Sequence, residues 1–349
     1  MPRHRSLTLA ALTRFAILVG GWSLLSGCPD NSPPPQTAPP PQYPYAYAPQ
    51  YPMPPYAQPQ YPQQQPQYPQ QPAPVGQPVQ GGPLPALVGA AAWQAETLAV
   101  LAELRANLSP DKQALVAGIP LQFDPDPTQI NAYAGCDDSG APFIAGTEGL
   151  LEAIDAISQT KACDQLFGTR TYDAYSAAIT PVLVSQQGGS AMLPGGIVPA
   201  QYWSDPSRVT RAHQIFDEMV GFTFGHELSH HYLGHTGCAH GQPAGVPPLV
   251  SQLGRILSNA VNIFNQPNEI AADSAGCVNV LDAGRARASR AYRWNEEGGL
   301  WLLDFFARMQ GAAGANAVYV EFLSTHPDPG LRIPIVQSVA ATWRMQHPG

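Results

Sequence analysis

His226-Glu227-Leu228-Ser229-His230 sits inside an otherwise apolar, helix-like run, and its reading decides how the rest of the chain is understood. On an α-helix, positions four apart share a face, so His226 and His230 turn both imidazoles to one point while Glu227 sits one step round the turn. Two imidazoles at that spacing predict a divalent ion. Zinc is the ion whose catalytic sites combine three such protein ligands with one position left to water. Glu227 is then placed as the base for that water, whose pKa a bound zinc lowers from ~15.7 towards about 7. A third ligand has to come from elsewhere, because continuing the motif as HExxHxxGxxH would need glycine at 233 and histidine at 236, where the chain has Leu233 and Thr236. Glu269, in a second helix expected to open at Pro267, supplies it, and Asp273 four residues on puts a carboxylate behind the metal. His231 and His235 make another pair four apart, but Tyr232 cannot replace a carboxylate base, so these two are expected at the surface or behind the ligands.

Around this motif, 207–234 reads as one helix started by Pro206 and stopped by Gly234 and Gly237. Residues 86–108 read as an amphipathic helix with Leu98, Leu101 and Leu104 on one side and Glu96, Glu103 and Arg105 on the other. Prolines break the pattern over 120–127. Two short strands are expected at 130–134 and 141–145, followed by a helix over 147–158 capped by Thr147. The breaker-rich stretch 186–202 reads as a loop, either a substrate rim or a plain insertion. Helices are expected over 300–309, 317–323 and 334–345. The fold class is therefore α+β, predominantly helical with a small β-sheet.

The first residues carry Arg3, Arg5 and Arg14 without an acid, and the apolar stretch 15–25 is too short to span a bilayer, which makes 1–27 a secretory signal. It ends in Leu25-Ser26-Gly27-Cys28, which resembles the lipobox of bacterial lipoproteins and implies lipidation at Cys28 and a membrane anchor. More than half of the 39 prolines follow before residue 86, among glutamine and tyrosine and a single charged side chain, Asp30. Such a stretch cannot build a core and reads as a tether over 28–83 with a reach of ~170 Å if fully extended. Residues 84–349 are ample for one domain. A net charge of -8 with no basic block argues against a nucleic-acid partner.

With Cys28 assigned to lipid, Cys136, Cys163, Cys238 and Cys277 remain, and an even set in an exported chain favours disulfides. Three pairings are open. The preferred one joins Cys136 to Cys163 and Cys238 to Cys277, the second bond tying together the ends of the two ligand-bearing helices.

The 226–230 motif, then Asn268-Glu269-Ile270-Ala271-Ala272-Asp273, then Ser324-Thr325-His326-Pro327 with Arg332, resembles the HtpX and CAAX-prenyl-protease family of gluzincin metallopeptidases. Asn131-Ala132-Tyr133-Ala134 with 143–151 is similar to that family's strand pair, and the likeness covers most of 121–336. It implies a zincin-like domain over 84–349, one Zn2+ held by His226, His230 and Glu269, Glu227 as general base and Asp273 behind a ligand. His326 and Arg332 are implied to lie at the cleft, with His326 either stabilising an oxyanion or occupying the open metal position. The implied activity is endopeptidase cleavage of envelope proteins, in the manner of the family's periplasmic lipoprotein branch. Two features depart from the family. No transmembrane helix is expected after the signal, and 152–205 is longer than the usual connection. The competing expectation is a non-catalytic envelope binding or chaperone protein with a zinc-stabilised fold.

Overall fold

The computed structural model describes residues 84–185, 189–239, 262–287, 292–314, 326 and 329–348, with only the backbone for 262–266. The signal, the tether, Cys28 and the helix expected over 317–323 lie outside these residues. Among the described residues the elements are α1 (Ala90–Ala106), α2 (Pro110–Val116), β1 (Leu121–Asp124), β2 (Ala132–Cys136), β3 (Pro142–Thr147), α3 (Glu148–Phe167), α4 (Thr171–Leu183), α5 (Ala200–Trp203), α6 (Pro206–Tyr232), α7 (Asn262–Ala286), α8 (Glu297–Ala313) and α9 (Pro329–Gln346). The fold is predominantly helical with one small three-stranded sheet. None of the described helices is long and apolar enough to cross a membrane.

β3 lies in the middle of the sheet, parallel to β1 with Leu121 opposite Ile144 and antiparallel to β2 with Ala132 opposite Gly146. Its residues are almost all buried, as a central strand's should be. β1 falls where prolines were expected to break the pattern. Leu121-Gln122-Phe123-Asp124 is too short between Pro120 and Pro125 to show a period, and pairing with β3 makes it a strand. Thr147 ends β3 and caps α3 as expected, its hydroxyl accepting from Leu150 N at 3.2 Å. The same hydroxyl donates to Gln129 O at 2.6 Å, which fixes the turn leading into β2.

α6 is the axis of the domain. Asp205 caps it by accepting from the backbone of Ser207 and Arg208, and Pro206 fits its first turn. From Met219 to Tyr232 every residue is buried. α1, α3, α7, α8 and β2 all pack around it. On α1 the buried face carries Trp93, Thr97, Val100, Leu101 and Leu104, whereas Leu98 is 48% exposed, so the apolar stripe is rotated by one position from the expected one. α7 begins at Asn262, and Pro267 sits within it rather than opening it. α9 likewise begins at Pro329, ahead of Pro334.

The stretch 152–205 completes α3 and adds α4, which packs against α3 and α8, and α5, which lies against α6. Residues 189–202 are pinned there. Tyr175 donates to Ala191 O at 2.6 Å, Ser190 donates to Glu152 at 2.6 Å, and Tyr202 stacks on Phe167.

Cys136 is bonded to Cys238, with Cα atoms 6.1 Å apart, and both preferred pairings are overturned. Cys163 and Cys277 are buried free thiols. Register explains the difference. Cys136 lies opposite Pro142, at the start of β3, whereas α3 departs from the other end of β3 and carries Cys163 roughly 22 Å along its axis. The turn after α6 returns to the sheet edge, where Cys136 Sγ also lies 3.3 Å from Thr236 O.

Candidate metal centre

The last turns of α6 bring His226 and His230 together with their Nε2 atoms 3.0 Å apart. Across from them α7 presents Glu269, with Oε2 3.3 Å from His226 Nε2 and Oε1 3.4 Å from His230 Nε2. Glu227 Oε1 is 4.0 Å from His226 Nε2 and 3.6 Å from His326 Nε2, and His326 Nε2 is 3.8 Å from Glu269. The donor atoms of His226, Glu227, His230 and His326 all lie within 4.8 Å of one another, and all four side chains are buried.

Two glycines permit this approach of α6 and α7. A Cβ at Gly276 would stand 2.8 Å from His226 N and 3.1 Å from its Cα, and one at Gly225 would stand 3.4 Å from Gly276 O. Gly276 lies on the same helical face as Glu269 and Asp273, seven and three residues before it. A glycine inside a helical pattern is a signal for close packing, and it marks this contact independently of the metal motif.

Behind the ligands the hydrogen bonds set which nitrogen faces inward. His226 Nδ1 lies 2.9 Å from Asp273 Oδ1, and a carboxylate can only accept, so Nδ1 carries a proton and, in the neutral ring, Nε2 offers its lone pair. Arg332, from α9, donates twice to Asp273 at 2.6 Å and its Nη2 is 3.9 Å from Glu269. Arg332 therefore lies in the cleft region expected for it, but it works through Asp273. His230 Nδ1 meets His235 Nδ1 at 3.0 Å, which orients the second imidazole. His231 is fully buried, not at the surface. Its Nε2 binds Phe143 O and its Nδ1 binds Thr236, both at 2.9 Å, tying the end of α6 to β3.

The charges follow from these contacts. Burial favours a neutral Asp273, but the Arg332 guanidinium outweighs it and holds the carboxyl down at about 2. Burial also raises Glu227, and His326 with His226 brings it below the usual carboxylate range. Glu269 is held well below that range, burial being outweighed by His326 and His226. Burial opposes a proton on His226, yet Asp273 and Glu269 push it up to about 10, whereas burial prevails at His230 and pushes it down to about 3. Two imidazoles 3.0 Å apart share at most one positive charge. Two imidazole nitrogens and two ionised carboxylates converging on one buried point form a donor set that can hold a metal ion.

Beside this point a small cleft is lined by Ala132 of β2, Leu150, Phe222, Leu303, Phe306, Glu227 and His326. None of the described residues of 186–202 lines it. Models of known families, characterised proteins and solved structures offer no match to this chain.

Proposed function

We propose that the protein is a zinc-dependent endopeptidase of zincin-like fold, related to the HtpX and CAAX-prenyl-protease family. The observation that carries the reading is the convergence of the Glu269 carboxylate on both Nε2 atoms, 3.3 and 3.4 Å away, with the ionised Glu227 beside them on the adjoining face. His226, His230 and Glu269 hold the ion. Zinc, when bound, supplies a Lewis acid that polarises a carbonyl and lowers the pKa of an attacking water. Glu227 takes the proton of that water on Oε1 and returns it to the leaving nitrogen. His326, facing Glu227 from the far wall, donates from Nε2 to the oxygen that becomes negative as the carbonyl is attacked. Asp273, gripped by Arg332, keeps the proton on His226 Nδ1 throughout.

Among the described residues β2 is one of the two edge strands of the sheet, and its Ala132 lines the same cleft as Glu227. An extended peptide adds to that edge and brings a scissile bond to the base, with an apolar side chain against Leu150, Phe222 and Phe306. Substrates on this reading are proteins of the bacterial envelope, met in quality control, and the chain is anchored there through lipid on Cys28.

Casein hydrolysis by the purified chain tests the enzyme. Activity should vanish with chelator, return with zinc and be lost in Glu227→Gln; equal turnover in all of these would leave a non-catalytic zinc-stabilised binding protein. Membrane fractionation of Cys28→Ala tests the anchor, which predicts release of the variant into the soluble fraction.

A further inference from the structure

Near the opposite end of α6, His213 and Asp217 lie four residues apart on one face and meet Glu96 of α1. We propose that these three side chains form a second site for a divalent cation of the zinc class, fastening α1 and the segment before it to α6. His213 Nδ1 lies 2.8 Å from Pro85 O, and a carbonyl only accepts, so Nδ1 carries the ring proton. In the neutral ring Nε2 then offers a lone pair, and it faces Glu96 Oε1 at 3.1 Å and Asp217 Oδ1 at 3.7 Å. Three electron-rich atoms gathered this way repel one another unless a proton on Nε2 or a metal cation lies between them.

Asp217 is 4% exposed, and its Oδ1, the atom turned toward His213, has no hydrogen-bond partner. An orphaned carboxylate oxygen at that depth is costly, and a cation satisfies it. Metal bonds of about 2.0–2.2 Å set neighbouring ligands about 3.0–3.6 Å apart, so the 3.1 Å to Glu96 falls inside that span and the 3.7 Å to Asp217 just beyond it, a distance that closes by a small turn of the carboxylate. The Arg287 guanidinium pulls both carboxyls down through space but is engaged elsewhere. Arg287 is held by both oxygens of Glu103, at 2.5 and 2.8 Å, with its plane over the Trp294 ring. One nitrogen and two oxygens suit zinc or a neighbouring first-row ion, and the partly exposed Glu96 leaves room for water to complete the shell. Leu84 N donating to Thr210 at 3.1 Å, together with Pro85 on His213, places the start of the described domain against the same stretch of α6. The ion would brace that junction.

Zinc titration of the chelator-stripped full chain, followed by calorimetry and metal analysis, tests this. Two equivalents are expected for the unmodified protein and one each for Glu96→Gln and Asp217→Asn. Glu96→Gln changes a partly exposed side chain and keeps the reading open to test if Asp217→Asn fails to fold. The His226→Ala/His230→Ala double variant should also keep one equivalent, and zinc should raise its melting temperature. If the unmodified chain takes a single equivalent that the double variant loses and Asp217→Asn retains, a proton occupies the His213 cluster and the second site is refuted while the endopeptidase reading stands. A single equivalent that survives in the double variant and is lost in Asp217→Asn would uphold the His213 site and overturn the endopeptidase reading.

Discussion

Along α6, Glu96, His213 and Asp217 meet near one end, and His226, His230 and Glu269 meet 13 residues further on, roughly 20 Å along the axis. Each cluster combines imidazole with carboxylate around i,i+4 positions of the same helix, and each fixes its first imidazole through Nδ1. What differs is the surroundings. The His226 end has an extra carboxylate, Glu227, that is not needed to complete a three-ligand set, and an apolar cleft opens beside it. The His213 end has a backbone carbonyl in the place that Asp273 takes at the other, and packs against the entry of the chain. Donor type and spacing alone thus mark two groups that could hold a metal ion, and on the proposed function a spare base facing a cleft is what sets one of them apart for hydrolysis.

The strongest way to break this contrast is Glu227→Gln. Hydrolysis should fall about 10²- to 10⁴-fold with zinc content unchanged. Loss of zinc together with activity would make Glu227 a ligand equivalent to Glu269 and erase the distinction. Next in size is removal of the bond that ties the end of α6 to β2. Cys136→Ser with Cys238→Ser opens a loop spanning 102 positions and should lower unfolding stability by about 3 kcal/mol in urea melts, with an unchanged midpoint counting against that role. Asp273→Asn should weaken zinc binding at the His226 end about 10- to 100-fold in competition with a chromogenic chelator, leaving the His213 end alone. Gly276→Ala forces a methyl to within 2.8 Å of His226 N and should cost about 1–3 kcal/mol, seen as a lower melting temperature.

A separate test lies between the two ends, at Glu218, where burial pushes the carboxyl from 4.5 up to about 8 against the pull of Arg211. The native protein therefore keeps a proton there that the unfolded chain has already lost. Stability falls as pH rises from about 4.5 to about 8 and levels off above that. Glu218→Gln should flatten this part of the melting-temperature profile, and an unaltered slope would show that Glu218 titrates normally.

The ligand helix, the Thr147 cap on the helix that follows β3, and the facing pair Glu269 and Asp273 were legible because a 3.6-residue period places them without knowledge of the rest of the fold. His326 and Arg332 came only from resemblance, since nothing in local spacing brings α9 to Asp273. β1 escaped because four residues between prolines carry no measurable period, and α4 because its tyrosines and threonines form a stripe only once α3 and α8 define which side is inner. The disulfide was misread for a related reason. Helix ends looked like natural partners, but strand register decides which cysteine meets the turn after α6.

Arg332 belongs to α9, whose 18 residues form the last described element, yet it grips the aspartate that aligns His226. A variant lacking α9 would keep the described histidines and both glutamates but lose the guanidinium that holds Asp273. On the proposed function, such a truncation would impair hydrolysis even with every proposed zinc ligand in place, because the imidazole of His226 would lose the support that reaches it through Asp273.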